Sequence, residues 1–172
     1  MCASHIEKRG RGMEKTPATD DFWAEFTAAS GVTDVDYTVV VPGDTDELAD
    51  ELVGLMLSGV KRATASLVRD YASGDEPMPQ LGDFIVVVDS EGTPKCIWRT
   101  TEVVVKPLIG VDDAFAWDEG EGDRTRDSWL SDHREYFSEQ ASREGFEMSD
   151  GIETVFERFE IVWPLDVAGV TD

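Results

Sequence analysis

Two β-branched runs joined by a short polar turn constrain this chain most: FIVVVD, closing at Asp89, and KCIWRTTEVVVK, from Lys95 to Lys106. Branched and aromatic side chains pack well on a pleated surface, and SEGTP between the runs supplies turn residues. The pair is therefore predicted to form an antiparallel hairpin. ETVFERFEIVW supplies a further strand, and YTVVV, from Tyr37 to Val41, another that ends at Pro42-Gly43. Helical spacing appears in three other places. Phe22, Trp23 and Phe26 share one face before Gly31, and Leu48, Leu52, Leu55 and Met56 form a stripe up to Gly59, with Asp44 and Glu47 in a capping-box pattern. A third helix is expected from about Thr125 to Arg143, carrying Trp129, His133, Tyr136 and Phe137. Strands and helices do not alternate regularly, which argues for an α+β domain on a mostly antiparallel sheet or small barrel, not a doubly wound parallel sheet. At 172 residues the chain suits one core. Residues 1 to 15 read as a disordered extension before a single domain over residues 16 to 172.

Its longest aliphatic stretches, Ile85 to Val88 and Val103 to Val105, fall far short of the roughly 20 apolar residues of a membrane helix. No apolar core follows the basic amino terminus, so no secretory signal is read and a cytoplasmic location is expected. Cys2 and Cys96 are expected to be free thiols. The 15 basic and 37 acidic residues give a net charge of −22, a field that repels long duplexes and disfavours a DNA partner. The acids are uneven. Residues 59 to 106 hold six bases against seven acids, a nearly neutral island between segments of net −10 and −11. A pocket for an anion or nucleotide fits there, although a highly soluble or salt-adapted surface explains the acids equally well.

Two places carry candidate chemistry. Gly59-Val60-Lys61-Arg62-Ala63-Thr64-Ala65-Ser66 follows a helix stop and reads as a turning backbone holding an amine and two hydroxyls. A desolvated lysine loses basicity and can accept a hydroxyl proton, and turn amides can bind an anion. An ordinary loop with a solvated lysine explains the same residues, and the spacing is not that of a Walker loop. Asp118-Glu119-Gly120-Glu121-Gly122-Asp123 sets four carboxylates among glycines ahead of a helix. Glu119, Glu121 and Asp123 are a candidate divalent-metal set, with no cofactor otherwise expected, and Asp123 has an alternative as the helix cap. Trp129, Tyr136, Phe137 and His133 read as packing residues.

Taken together, the helix ending in Gly-x-Lys, then Ala-Thr-Ala-Ser-Leu, Leu-Gly-Asp before a strand, and Phe-Ala-x-x-Glu-Gly-Glu-Gly-Asp followed by Trp129 and His133, resemble the ASCH domain family. The resemblance spans about residues 37 to 164. It implies a PUA-like fold, a small, mostly antiparallel β-barrel with flanking helices, and action on RNA. Single-stranded RNA or a modified nucleoside would be the partner, either cleaved, deacylated as an N-acylated cytidine, or bound without turnover. In the amidohydrolase branch the working residues match Lys61, Thr64 and the Glu119 of Ala116-x-x-Glu119. Thr64 would be the nucleophile, Lys61 its activator, and Glu119 the group that polarises or protonates the substrate. Ser66, Arg62, Tyr71 and Glu121 are expected to line the substrate site. That branch has an arginine where this chain has Ser66, and Arg99 is a candidate replacement for its charge.

Overall fold

Hydrophobic periodicity and β-branching resolve into six strands and four α-helices in the computed structural model, which describes residues 10–171. In chain order they are β1 (Arg11–Met13), α1 (Pro17–Ser30), β2 (Tyr37–Val41), α2 (Asp46–Leu57), β3 (Ala63–Leu67), β4 (Phe84–Val88), β5 (Pro94–Pro107), α3 (Asp113–Glu119), α4 (Arg126–Glu144) and β6 (Glu153–Trp163). The two β-branched runs form the expected hairpin, with Ile85 opposite Trp98 and Val86 opposite Ile97. β5 then pairs along nearly its whole length with β6. Its register shifts at Ile97/Trp98 and Thr100/Glu102, and such irregularities bend a long strand.

The sheet runs β1-β2-β4-β5-β6-β3, antiparallel throughout except for the β2/β4 pair. Its end strands β1 and β3 are not paired with each other, so it is an open mixed sheet and not the closed barrel expected from sequence. Apolar side chains from both faces gather into three clusters. Phe26 of α1 packs with Tyr37, Val39, Phe84 and Ile97. Val53 and Met56 of α2 cover Ile85, Val87, Trp98 and Phe159. Phe115 of α3 and Trp129, Leu130 and Phe137 of α4 cover Ala63, Ala65, Leu67 and Phe156.

Several boundaries differ from the sequence expectation for local reasons. Residues 11 to 13 are not disordered: they pair with Val39–Val41 as β1, and the Thr16 hydroxyl accepts from Thr19 N to start α1. Residues 1 to 9, with Cys2 and His5, lie outside the described residues. The cap of α2 is Thr45, not Asp44, since the Thr45 hydroxyl accepts from Leu48 N. Asp123 likewise does not cap α4; it receives the Thr125 amide and hydroxyl and so orients Thr125, whose oxygen accepts from Ser128 N. Cys96 is a buried free thiol, which burial pushes up to about 12, so it serves as packing. Among the described residues, no helix is long and apolar enough to cross a membrane.

Candidate functional site

The segment that read as a loop contains a strand. Val60 and Lys61 close the end of α2 by donating their amides to Leu55 O, and Ala63–Leu67 then runs along β6 as β3. The start of this strand is clamped to the end of α3 backbone against backbone: Arg62 N donates to Asp118 O at 2.6 Å. A Cβ on Gly120 would lie 2.4 Å from Val60 O, and its φ is +76°, so glycine is required twice over there. Gly120 of DEGEGD therefore serves close approach to Lys61.

That approach brings Lys61 into a buried ionic cluster. Its Nζ donates to Ala63 O at 2.9 Å, to Glu121 Oε2 at 2.9 Å and to Glu119 O at 3.4 Å. An ammonium has three protons, so all are placed. Lys61 is 3% exposed and Glu119 1%. The Glu119 carboxylate faces away from these bonds, toward His133, with Oε1 3.4 Å from Nε2. His133 is itself sealed, stacked on Trp129 with ring centroids 3.4 Å apart. Its Nδ1 lies 2.8 Å from Trp129 O, and a carbonyl only accepts, so Nδ1 carries a proton. Nε2 makes no hydrogen bond among the described residues and meets Oε1 only as a close neighbour.

The two carboxyls of the cluster are driven apart. Burial raises Glu119, but the charges of His133 and Lys61 outweigh it and hold this carboxyl below its ordinary value. Burial dominates at Glu121 and keeps its carboxyl raised despite Lys61, with the nearby Glu119 adding to the rise. Asp123 points to Thr125, so the three carboxylates proposed as a metal set have three different partners. Among the described residues, no group of three metal-ligating side chains converges.

The remaining sequence candidates separate by sheet face. Alternation along β3 directs Ala63, Ala65 and Leu67 into the α3/α4 cluster, so Thr64 and Ser66 point to the other face. Among the described residues the Thr64 hydroxyl makes no hydrogen bond, so it is joined to neither Lys61 nor Glu119. Ser66 and Tyr71 do meet, their oxygens 2.7 Å apart. Arg62 pairs with Asp118 at 2.9 Å, an acid it shares with Arg158. Arg99 is half exposed on β5, 4.0 Å from Glu160, and its neighbour Thr100 points to the opposite face. Sequence reasoning missed the partner of Thr100: its hydroxyl donates to Glu157 Oε1 at 2.6 Å, and Glu157 lies directly opposite Thr64. The one signal for Glu157 is a glutamate at an inward-facing position of VFERFEIV.

Comparison with known proteins gives a consistent set. A family model described as ASCH domain matches residues 38–163. The crystal structure of an ASCH domain from Lactobacillus crispatus JV V101 superposes with a TM-score of 0.78 at 30% identity, covering 87% of this chain and 97% of that one. A protein from Enterococcus faecalis V583 superposes with a TM-score of 0.74 at 29% identity, covering 83% and 86%. No curated protein matches.

Proposed function

This chain belongs to the ASCH domain family, a PUA-like fold of the RNA-binding kind, and on that premise we propose that it is a hydrolase acting on RNA or an RNA-derived nucleoside. The observation that carries this reading is the buried cluster of Lys61, Glu119, Glu121 and His133, built against the strand that bears Thr64. Burying three ionisable groups beside a part-buried fourth, Glu121, costs far more than packing apolar ones, and such clusters concentrate at sites of chemistry. Thr64 is the nucleophile, and Lys61 fixes the start of its strand against the Glu119–Glu121 segment. With its three protons on acceptors, Lys61 contributes charge and not basicity. Glu119, whose carboxyl is held below its ordinary value beside His133 and Lys61, fixes the charge of this cluster and donates no proton.

The substrate is small. A net charge of −22 opposes a long polyanion, whereas a nucleoside carries no phosphate and a short single strand few. N-acylated cytidine and short single-stranded RNA are the two candidate classes.

Binding without turnover is the second reading, favoured by the sealing of Glu119 at 1% exposure. Mass spectrometry of products separates the two. Unaltered protein and Thr64→Val, which keeps the β-branched shape, are incubated with N-acylated cytidines and with single-stranded RNA. Release of cytidine that vanishes in Thr64→Val supports the amidohydrolase, and shortened RNA the ribonuclease. Binding with no product in any arm replaces the hydrolase by a reader.

A further inference from the structure

Thr64 needs a proton acceptor to attack, and Lys61 is not placed to be one. Its ammonium donates to Ala63 O, Glu121 and Glu119 O and makes no bond to the threonine. The other face of the sheet offers an acceptor. Thr64 and Glu157 are directly opposed residues of the antiparallel β3/β6 pair, which sets their Cβ atoms about 4.5–5.5 Å apart on one face. A rotation about the Thr64 Cα–Cβ bond suffices to turn the hydroxyl toward a carboxylate at that range.

Glu157 is 1% exposed in the middle of a strand whose flanking inward positions are Val155 and Phe159. Strand propensity and desolvation both favour an apolar residue there. The carboxylate is nevertheless present and oriented, since Oε1 accepts the Thr100 hydroxyl at 2.6 Å and Thr100 is itself 1% exposed. Ser66 and Tyr71 add a joined hydroxyl pair two residues along the same face.

We propose that Glu157 is the general base for Thr64, a step that rests on the hydrolase reading above. For an N-acylated cytidine, Glu157 takes the Thr64 Oγ proton as Oγ bonds to the acyl carbon. The carbonyl oxygen takes up the negative charge until the C–N bond breaks. As the C–N bond breaks, the Glu157 carboxylic acid returns the proton to the departing amine of cytidine, leaving an ester on Thr64. Water then attacks that ester, giving one proton to Glu157, which passes it to the released Thr64 oxygen. The acyl group leaves as its carboxylic acid, the Glu157 carboxylate and Thr64 hydroxyl are regenerated, and one water is consumed.

The test is Glu157→Gln, which preserves size and an oxygen for Thr100, assayed on N4-acetylcytidine beside the unaltered protein and Thr64→Val. General-base loss predicts a fall in kcat of about 10²- to 10⁴-fold with KM little changed, and no acyl-protein in the intact-mass spectrum. Glu157→Asp, which keeps the charge but retracts it, should recover part of kcat, and it decides the matter if the glutamine variant does not fold. Wild-type kcat in folded Glu157→Gln, or no dependence of kcat on retracting the carboxylate in Glu157→Asp where the glutamine variant does not fold, with Thr64→Val inactive, overturns the Glu157 proposal and leaves the hydrolase reading standing. No turnover by the unaltered protein, or full turnover by Thr64→Val, overturns both.

Discussion

Lys61 illustrates how one side chain ties two distant sequence motifs together. Its ammonium neutralises Glu121 inside the fold, so removing it leaves a carboxylate buried without its cation. Lys61→Met should lower stability by about 3 kcal/mol, the usual loss when one partner of a buried pair is deleted. The deficit depends on pH with a definite sign. Burial already raises the Glu121 carboxyl above its ordinary value of 4.5, and loss of Lys61 raises it further. In the window above 4.5 the folded state then binds more protons than the unfolded, so stability falls as pH rises through it. The gap between Lys61→Met and the unaltered protein should therefore narrow as pH is lowered from 7 toward 5, and Glu121→Gln should restore part of it at pH 7. Thermal melts across that range check both. A gap independent of pH removes Glu121 from the account. The sequence exposed Lys61 and Glu121 as candidates but not their bond, because an attraction across 60 positions leaves no periodic trace.

Elements were legible where side-chain pattern outweighs context. The β4/β5 hairpin follows from β-branching and a polar turn, and α2 from its leucine stripe. β3 was not legible, since ATASL has little β-propensity and is a strand only because β6 and the α3/α4 cluster accept its small residues. α3 is seven residues long, too short for a 3.6-residue period to emerge. β1 is a three-residue edge that exists by pairing with β2. Caps shifted by one or two positions because Asp and Thr compete for the same amides, and the side chain reaching the third residue along decides the contest. At α4 the structure predicts an asymmetry. Thr125→Ala removes the direct cap and should cost about 1 kcal/mol, whereas Asp123→Ala only loosens Thr125 and should cost less. Denaturant unfolding measures both, and an equal or larger loss at Asp123 would return the cap to the residue first expected from sequence.

At the scale of the whole molecule, two properties set behaviour that no single residue carries. Sheet closure is one. It depends on the summed twist and register of all six strands, which is why the sequence suggested a barrel and the end strands β1 and β3 remain apart. Charge is the other. A net −22 spread outside the central island means that most acidic groups meet other acids, a repulsion that favours expansion of the chain. Ion pairs such as Arg134–Asp150 at 2.8 Å act against it, and salt weakens these as well. With 15 bases for 37 acids, the pairs cannot offset the repulsion, so screening should stabilise the fold on balance. At 1 M salt the Debye length contracts to about 3 Å, shorter than most distances between surface carboxylates. The melting temperature should rise by several degrees from about 0.02 to 1 M sodium chloride, since about 1 kcal/mol moves a domain of this size by roughly 2–4 °C. Chloride is the appropriate anion because sulfate strengthens apolar burial independently. A flat or falling melting temperature would show that local ion pairs, and not the field of the whole chain, dominate the electrostatics of this fold.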